Sequence, residues 1–186
     1  MPSTLICALR TTSARPTRLR WKSRSILTFW EPIGFNAAFQ AATVLMRLPA
    51  ACIAVRYQDT ALHGYLFKSA HTGAPKPTRI ISGGYDSTAE ELYFFSAAAA
   101  VARGYTCTVF DGPGQGSAII EHGVLFRPDW EAVVRPVIDF AISRREVDAW
   151  RIALLGISFG GYLAPRAASV DTTCCLHRRS RRVLAT

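Results

Sequence analysis

Gly156-Ile157-Ser158-Phe159-Gly160-Gly161 decides the fold, because it sets a G-x-S-x-G pattern between an apolar run and a small-residue segment. The run is Arg151-Ile-Ala-Leu-Leu155, short and continuous like a strand buried on both faces of a parallel sheet. Tyr162 to Ser169, behind the serine, has the composition of a helix. A strand that turns this sharply into a helix needs glycine at Gly156 and Gly160, so that Ser158 can sit in strained backbone with its oxygen exposed. The first amides of the helix point back at the serine and favour a developing negative charge there. Ser158 is therefore the candidate nucleophile.

A serine hydroxyl becomes a nucleophile at neutral pH when a histidine, oriented by a carboxylate, takes its proton. The 28 residues after Ser158 hold one acid, Asp171, and one histidine, His177. Asp171 falls at the far end of the helix that begins beside the serine, roughly 15 to 20 Å away at the helical rise. Neither residue is placed for a triad, and the expectation is that this chain supplies no triad acid or histidine. His63, His71 and His122 all precede the serine and are expected to be ordinary surface or packed histidines; His122, beside Glu121, is the least remote alternative base.

Upstream, strands alternate with helices. Ile53 to Tyr57 and Gly64 to Lys68 suggest an antiparallel pair, and Thr78 to Ser82 a third strand. Ser87-Thr-Ala-Glu90 has the form of a capping box opening a helix that runs to Arg103, with Gly104 as its stop. Tyr105 to Phe110 suggests a fourth strand. Asp129 is placed to cap a helix running to about Arg144, kinked or divided by Pro136. Strands linked by helical crossovers imply an α/β fold with a mostly parallel sheet, its functional loops at the carboxyl ends of the strands. Three such ends carry glycine: Ser82-Gly-Gly-Tyr85, Asp111-Gly-Pro-Gly-Gln-Gly116 and the serine turn. At the first, the amide of Tyr85 or Gly84 can join that of Phe159 in an oxyanion hole, although a plain tight turn fits equally well. The second lacks a G-K-[ST] ending and has Ser117 after its last glycine, so it is expected to pack beside the serine turn rather than to hold a nucleotide.

The net charge of +9 is unevenly spread. Residues 1–30 carry six basic groups and no acid, and residues 174–186 carry four and no acid, which leaves the interior nearly neutral. Few aromatic residues accompany the basic ends, so nucleic acid is not expected as a partner; a basic-end binding protein would show salt-dependent affinity. No apolar run is long enough to span a bilayer. The leader has the Arg-, Ser- and Thr-rich composition of a transit peptide, but Pro2 and Pro16 oppose the amphipathic helix that such a peptide needs. A disordered leader and a cytoplasmic protein are expected. Cys7, Cys52, Cys107, Cys174 and Cys175 form no disulfide framework, and with His177 they show no zinc spacing, so reduced thiols and no metal are expected.

Four segments, taken in order, resemble one family. Gly83-Gly-Tyr-Asp-Ser-Thr-Ala-Glu-Glu-Leu-Tyr93, Phe110-Asp-Gly-Pro-Gly-Gln-Gly116, Phe126-Arg-Pro-Asp-Trp-Glu-Ala-Val-Val134 and Gly156-Ile-Ser-Phe-Gly-Gly-Tyr-Leu-Ala-Pro-Arg166 are similar to α/β-hydrolases. The nearest group is that of the FrsA-type esterase and 2,6-dihydroxypseudooxynicotine hydrolase, which includes fungal enzymes that shorten polyketides. The resemblance covers about residues 31–169. It implies Ser158 as nucleophile, amides near Tyr85 and Phe159 as the oxyanion hole, a helical cap to which Trp30–Leu48 contributes, and a small ester or β-diketone-like substrate cleaved without a cofactor. Residues 1–30 are then a basic leader, 31–50 a remnant of the cap region, 51–170 the first part of the hydrolase domain and 171–186 a basic tail without strand or helix periodicity. Members of the group continue through further strands, so the fold is expected to be incomplete after the serine helix, as a truncated or frameshifted member would be. The edge of Arg151–Leu155 is expected to stand unpaired. Downstream transcript read in all three frames is expected to restore strand ends bearing Asp and His.

Overall fold

The computed structural model describes residues 32–46, 50–69, 71, 73–170 and 182–185. The leader, Asp171, His177, Cys7, Cys174 and Cys175 lie outside the described residues. Helix α1 spans Pro32–Leu45. Strands β1 (Ala50–Tyr57) and β2 (Thr60–Phe67) form the expected antiparallel hairpin, turning at Gln58, which has φ +48°. Along β1 exposed residues alternate with buried Ile53, Val55 and Tyr57, so only one face of this outer strand is covered.

Three parallel strands follow: β3 (Lys76–Ser82), β4 (Thr106–Phe110) and β5 (Val147–Gly156). Every residue of β4 is buried, Thr106 and Thr108 included, as a strand packed on both faces requires. Strand β5 starts four residues before the apolar run that announced it: Val147 pairs with Lys76, and the register shifts before the regular ladder begins at Thr78↔Ile152. Among the described residues the sheet has six strands in the order β1-β2-β4-β3-β5-β6, with β1 and β2 antiparallel to their neighbours and the rest parallel.

The last strand, β6 (Arg182–Ala185), corrects the expectation of an unpaired edge. It runs parallel to β5 with Ala153↔Arg182 and Gly156↔Ala185, in a tail whose sequence has no strand period. A strand this short can be specified by its neighbour's ladder rather than by its own pattern.

Helices cover both faces. On one face α5 (Glu131–Ile142) and α6 (Gly160–Val170) bury Val133, Val134, Val137, Leu163 and Ala167 against Ile80, Ile152 and Leu154. On the other, α2 (Ala89–Leu92), a π-helical turn (Tyr93–Ala97) and α3 (Ala98–Ala102) pack Leu92, Ala97 and Val101 on Ile81, Val109 and Leu155, joined by Phe39 of α1. Gly104, with φ +91°, ends α3 as expected.

Two helix starts differ from expectation. Thr88, not Ser87, caps α2, its Oγ1 accepting from the Glu91 amide at 3.3 Å. Asp129 does not cap α5: its carboxylate is engaged by Arg127, whose Nε lies 2.6 Å away. Pro136 sits inside an undivided α5, whose buried face continues on both sides of it through Val133, Val134, Val137, Ile138 and Ala141.

Candidate active site

The three glycine-bearing strand ends start from one level. Phe110 pairs with Ser82, and Ser82 pairs with Gly156, so the loops after β4, β3 and β5 leave the sheet side by side. The Ile157 amide donates to the Ser82 carbonyl at 3.1 Å, carrying the pairing one residue past the end of β5. The chain then reverses into α6. Ser158 has φ +57°, a left-handed conformation that costs a β-carbon-bearing residue about 1 kcal/mol or more. Its side chain is exposed and has no hydrogen-bond partner among the described residues.

The flanking glycines are required by close approach. A β-carbon at Gly156 would stand 1.9 Å from the Gly160 carbonyl oxygen, and one at Gly160 would stand 2.4 Å from that of Ser82. Strand, turn and helix therefore touch through bare backbone, which lets the serine project above the sheet.

The loop after β3 lies against it. A β-carbon at Gly84 would lie 3.2 Å from Ser158 Oγ, so Gly84 and Ser158 are brought together as the sequence suggested. The Gly84 amide, however, donates to Ser87 Oγ at 2.7 Å. That leaves the amides of Tyr85 and Phe159, neither of which donates to protein among the described residues. The ring of Tyr85 stacks on Phe126 at 5.2 Å and stands edge-on to Phe159 at 6.4 Å, while Phe159 stacks on Tyr162 at 5.7 Å. Tyr85 and Tyr162 are 70% and 59% exposed, so an open aromatic surface surrounds the serine.

Sequence reasoning missed three buried polar groups beneath this surface. Gln115 Nε2 donates to the Gly83 and Gly84 carbonyls at 2.9 and 2.6 Å, and its Oε1 accepts from the Gly112 amide at 3.0 Å. The turn Gly112–Gly116 thus packs beside the serine turn as expected, through the loop at Gly83. Trp130 Nε1 donates to Ser82 Oγ at 3.2 Å under the same loop. Asp111, at the end of β4, accepts from the Ala89 amide at 2.7 Å and from the amide and hydroxyl of Ser117 at 2.9 and 2.8 Å. Burial pushes its carboxyl up to about 6, and the nearby Glu90 adds to this, while the Ser117 and Ala89 donors pull the other way. For Asp111 and Gln115 the available signal was a polar residue in or beside a glycine-rich turn, whereas Trp130 has no such neighbour in sequence; burial is a tertiary property.

The histidines stand elsewhere. His71 packs beside Gly104, at the opposite end of the sheet from Ser158. The carbonyl of His63, on β2, accepts from the Asp111 amide, and its ring stacks on His122 at 5.6 Å. Two strands separate β2 from β5, which at the usual interstrand spacing is about 14 Å. Cys52 and Cys107 are free thiols; burial pushes Cys107 up to about 12, which makes it inert. Among the described residues no group of His, Cys, Asp and Glu has the arrangement of a metal site, and no helix is long and apolar enough to cross a membrane.

A mixed sheet clad by helices, with its glycine loops gathered at the carboxyl end of β5, has the α/β-hydrolase fold. No family profile matches the chain. Comparison with curated proteins finds fungal hydrolases. The chain is 48% identical over 97 residues to hydrolase acrC of Aspergillus aculeatus, covering 50% of this chain and 23% of that one. It is 41% identical over 139 residues to 20-hydroxy-prefusarin hydrolase FUS2 of Gibberella moniliformis, covering 70% and 33%. Among solved structures, 2,6-dihydroxy-pseudo-oxynicotine hydrolase superposes with a TM-score of 0.69 at 27% identity, covering 75% of this chain and 39% of that one. The chain thus resembles the α/β-hydrolase group suggested by its motifs, and it spans about a quarter to a third of the length of these curated relatives.

Proposed function

We propose that the chain carries the nucleophile and oxyanion half of a serine hydrolase site that cleaves an ester or carbon–carbon bond of a small organic molecule of the polyketide or secondary-metabolite kind. The observation that carries this reading is Ser158 held at φ +57° and exposed, in a turn whose Phe159 amide, like that of Tyr85 in the neighbouring loop, donates to no acceptor among the described residues. Strain of this kind persists where a function needs it. Ser158 Oγ attacks the carbonyl carbon and its proton passes to a general base. The carbonyl oxygen becomes an oxyanion facing the Tyr85 and Phe159 amides. Its collapse breaks the ester C–O or the C–C bond, the leaving group takes the proton, and water then releases the acyl group from the serine. The substrate class follows the fungal relatives, one of which is named for 20-hydroxy-prefusarin.

The resemblance implies that this chemistry needs no cofactor and that α1 contributes to a cap, while composition and residue spacing are the ground for reading a cytoplasmic setting without a metal and without nucleic-acid or membrane partners. The oligomeric state is left open. A second reading has a specific observation in its favour: none of the described histidines lies beside Ser158, as a non-catalytic fragment or pseudoenzyme would require. A fluorophosphonate probe separates the two. The expected result is labelling confined to Ser158 and abolished in Ser158→Ala; an unlabelled chain with no esterase turnover would establish the second reading instead.

A further inference from the structure

Among the described residues Gln115 is the most buried long polar side chain that is neither charged nor part of the proposed reaction, at 1% exposure. Burying an amide without partners costs several kcal/mol, so its bonds explain its presence. Both bonds from Nε2 go to consecutive carbonyls, those of Gly83 and Gly84, and Oε1 is held by the Gly112 amide. One side chain therefore fixes two successive peptide planes in the loop that lies against Ser158. Ser87 Oγ takes the Gly84 amide of the same segment at 2.7 Å. The combination directs the carbonyls of residues 83 and 84 toward the turn after β4 and commits the Gly84 amide. Tyr85 is left, directly after the committed Gly84 amide, as a donor with no protein partner among the described residues.

The turn that supplies Gln115 is itself anchored. A β-carbon at Gly112 would stand 2.5 Å from the Trp130 ring, and one at Gly116 would stand 2.4 Å from the Asp111 carboxylate. Both ends of the turn pack bare backbone closely against buried side chains. Gln115 thus transmits the position of a rigid, buried turn to the exposed loop at Tyr85.

From this geometry we infer that Gln115 is a positioning residue for the oxyanion hole: its clamp on the Gly83 and Gly84 carbonyls orients the Tyr85 amide toward the oxygen that develops at Ser158. The inference deepens the serine-hydrolase reading and rests on it. It assigns catalytic consequence to a residue that touches no reacting atom, because a misplacement of about 1 Å in such a donor costs on the order of a hundredfold in rate.

The test measures fluorophosphonate labelling of Ser158 in the full chain, resolved into the probe dissociation constant and the rate of bond formation. It is carried out for the parent, Gln115→Met and Gln115→Glu. In Gln115→Met the shape is kept and both donors are lost. Its bond-forming rate should fall about a hundredfold while the dissociation constant is unchanged. In Gln115→Glu the ionised carboxylate faces two carbonyl oxygens, whereas the protonated acid donates to one of them. Its rate relative to the parent should therefore recover as the pH is lowered. Amide hydrogen exchange supplies an independent readout: Gly84 should lose protection in Gln115→Met while Ile81, in the centre of β3, keeps it. Equal labelling rates in parent and variants, or parallel loss of protection at Gly84 and Ile81, would overturn the role of Gln115. An unlabelled parent would overturn the hydrolase reading itself, and the two failures are thereby distinguishable. Should Gln115→Met fail to fold, Gln115→Glu decides the matter through its pH profile.

Discussion

Ser158 stores strain that a glycine would not. At φ +57° its β-carbon crowds the backbone, and removing that carbon relieves the crowding. Ser158→Gly should raise the unfolding free energy by about 1 kcal/mol while eliminating probe labelling, as measured by urea denaturation alongside the labelling assay. A gain in stability with a loss of reactivity would locate the strain in the reactive residue; a loss of stability would count against it. Gly156 behaves in the opposite sense. A methyl there meets the Gly160 carbonyl oxygen at 1.9 Å, and backbone cannot yield as a flexible side chain can. Gly156→Ala should cost about 3 kcal/mol in the same denaturation experiment, at the upper end of what overpacking usually costs. Both glycines of the turn were legible from the motif alone. The division of labour between the Gly84 and Tyr85 amides was not, because it depends on Ser87 Oγ reaching back three residues.

At the scale of elements, one carboxylate joins two helix starts to a strand. Asp111 follows β4, accepts from Ala89 at the first turn of α2 and from Ser117 in the first turn of α4 (Gly116–Ile120), and is buried. Helix amino termini favour a negative charge, and yet burial, aided by Glu90, dominates and raises the carboxyl from 3.8 to about 6. The sign of the linkage follows. Folding favours the protonated form, so the stabilisation from proton uptake is complete below the unfolded value of 3.8 and is lost as the pH rises through about 6. Asp129, Glu146 and Asp148 work in the other direction, since hydrogen bonds from Arg127, Lys68 and Arg151 lower them. Comparison with Asp111→Asn isolates the one group. The parent should lose stability relative to that variant between about pH 4 and pH 6, and a pH-independent difference in melting temperature would refute the assignment. The cap of α2 shows why such details escape a sequence reading. Ser87 and Thr88 both satisfy the pattern that opens a helix, and only the demand of Gly84 for an acceptor decides which of them does so.

For the whole molecule, the order of the strands determines where chemistry can occur. Placing β4 and β3 between β2 and β5 separates the stacked His63 and His122 from Ser158, although His63, like Ser158, stands level with the carboxyl ends of the parallel strands. It also leaves β5 dependent on β6 for its outer ladder from Ala153 to Gly156. An uncovered strand of Ile152, Leu154 and Leu155 offers a template for pairing with another chain. Removing residues 182–186 should therefore produce concentration-dependent assembly in light scattering at concentrations where the full chain scatters little. Unchanged scattering would mean that β6 does not protect that edge.

The local chemistry of this chain was written in its residues. Short runs rich in β-branched and apolar residues specified β3 and β4, an apolar run specified the end of β5, and glycine at 156 and 160 specified the turn, because each depends on sterics and burial within a few positions. Tertiary structure alone decided what those pieces meet. The Gln115 clamp, the carboxylate at Asp111, the strand at Arg182–Ala185 and the distance of the histidines from Ser158 all join residues far apart in sequence. The reason is physical: a hydrogen-bond donor or an unpaired strand edge states only that a partner is needed, and the packing of the sheet and its two helical layers selects which one arrives.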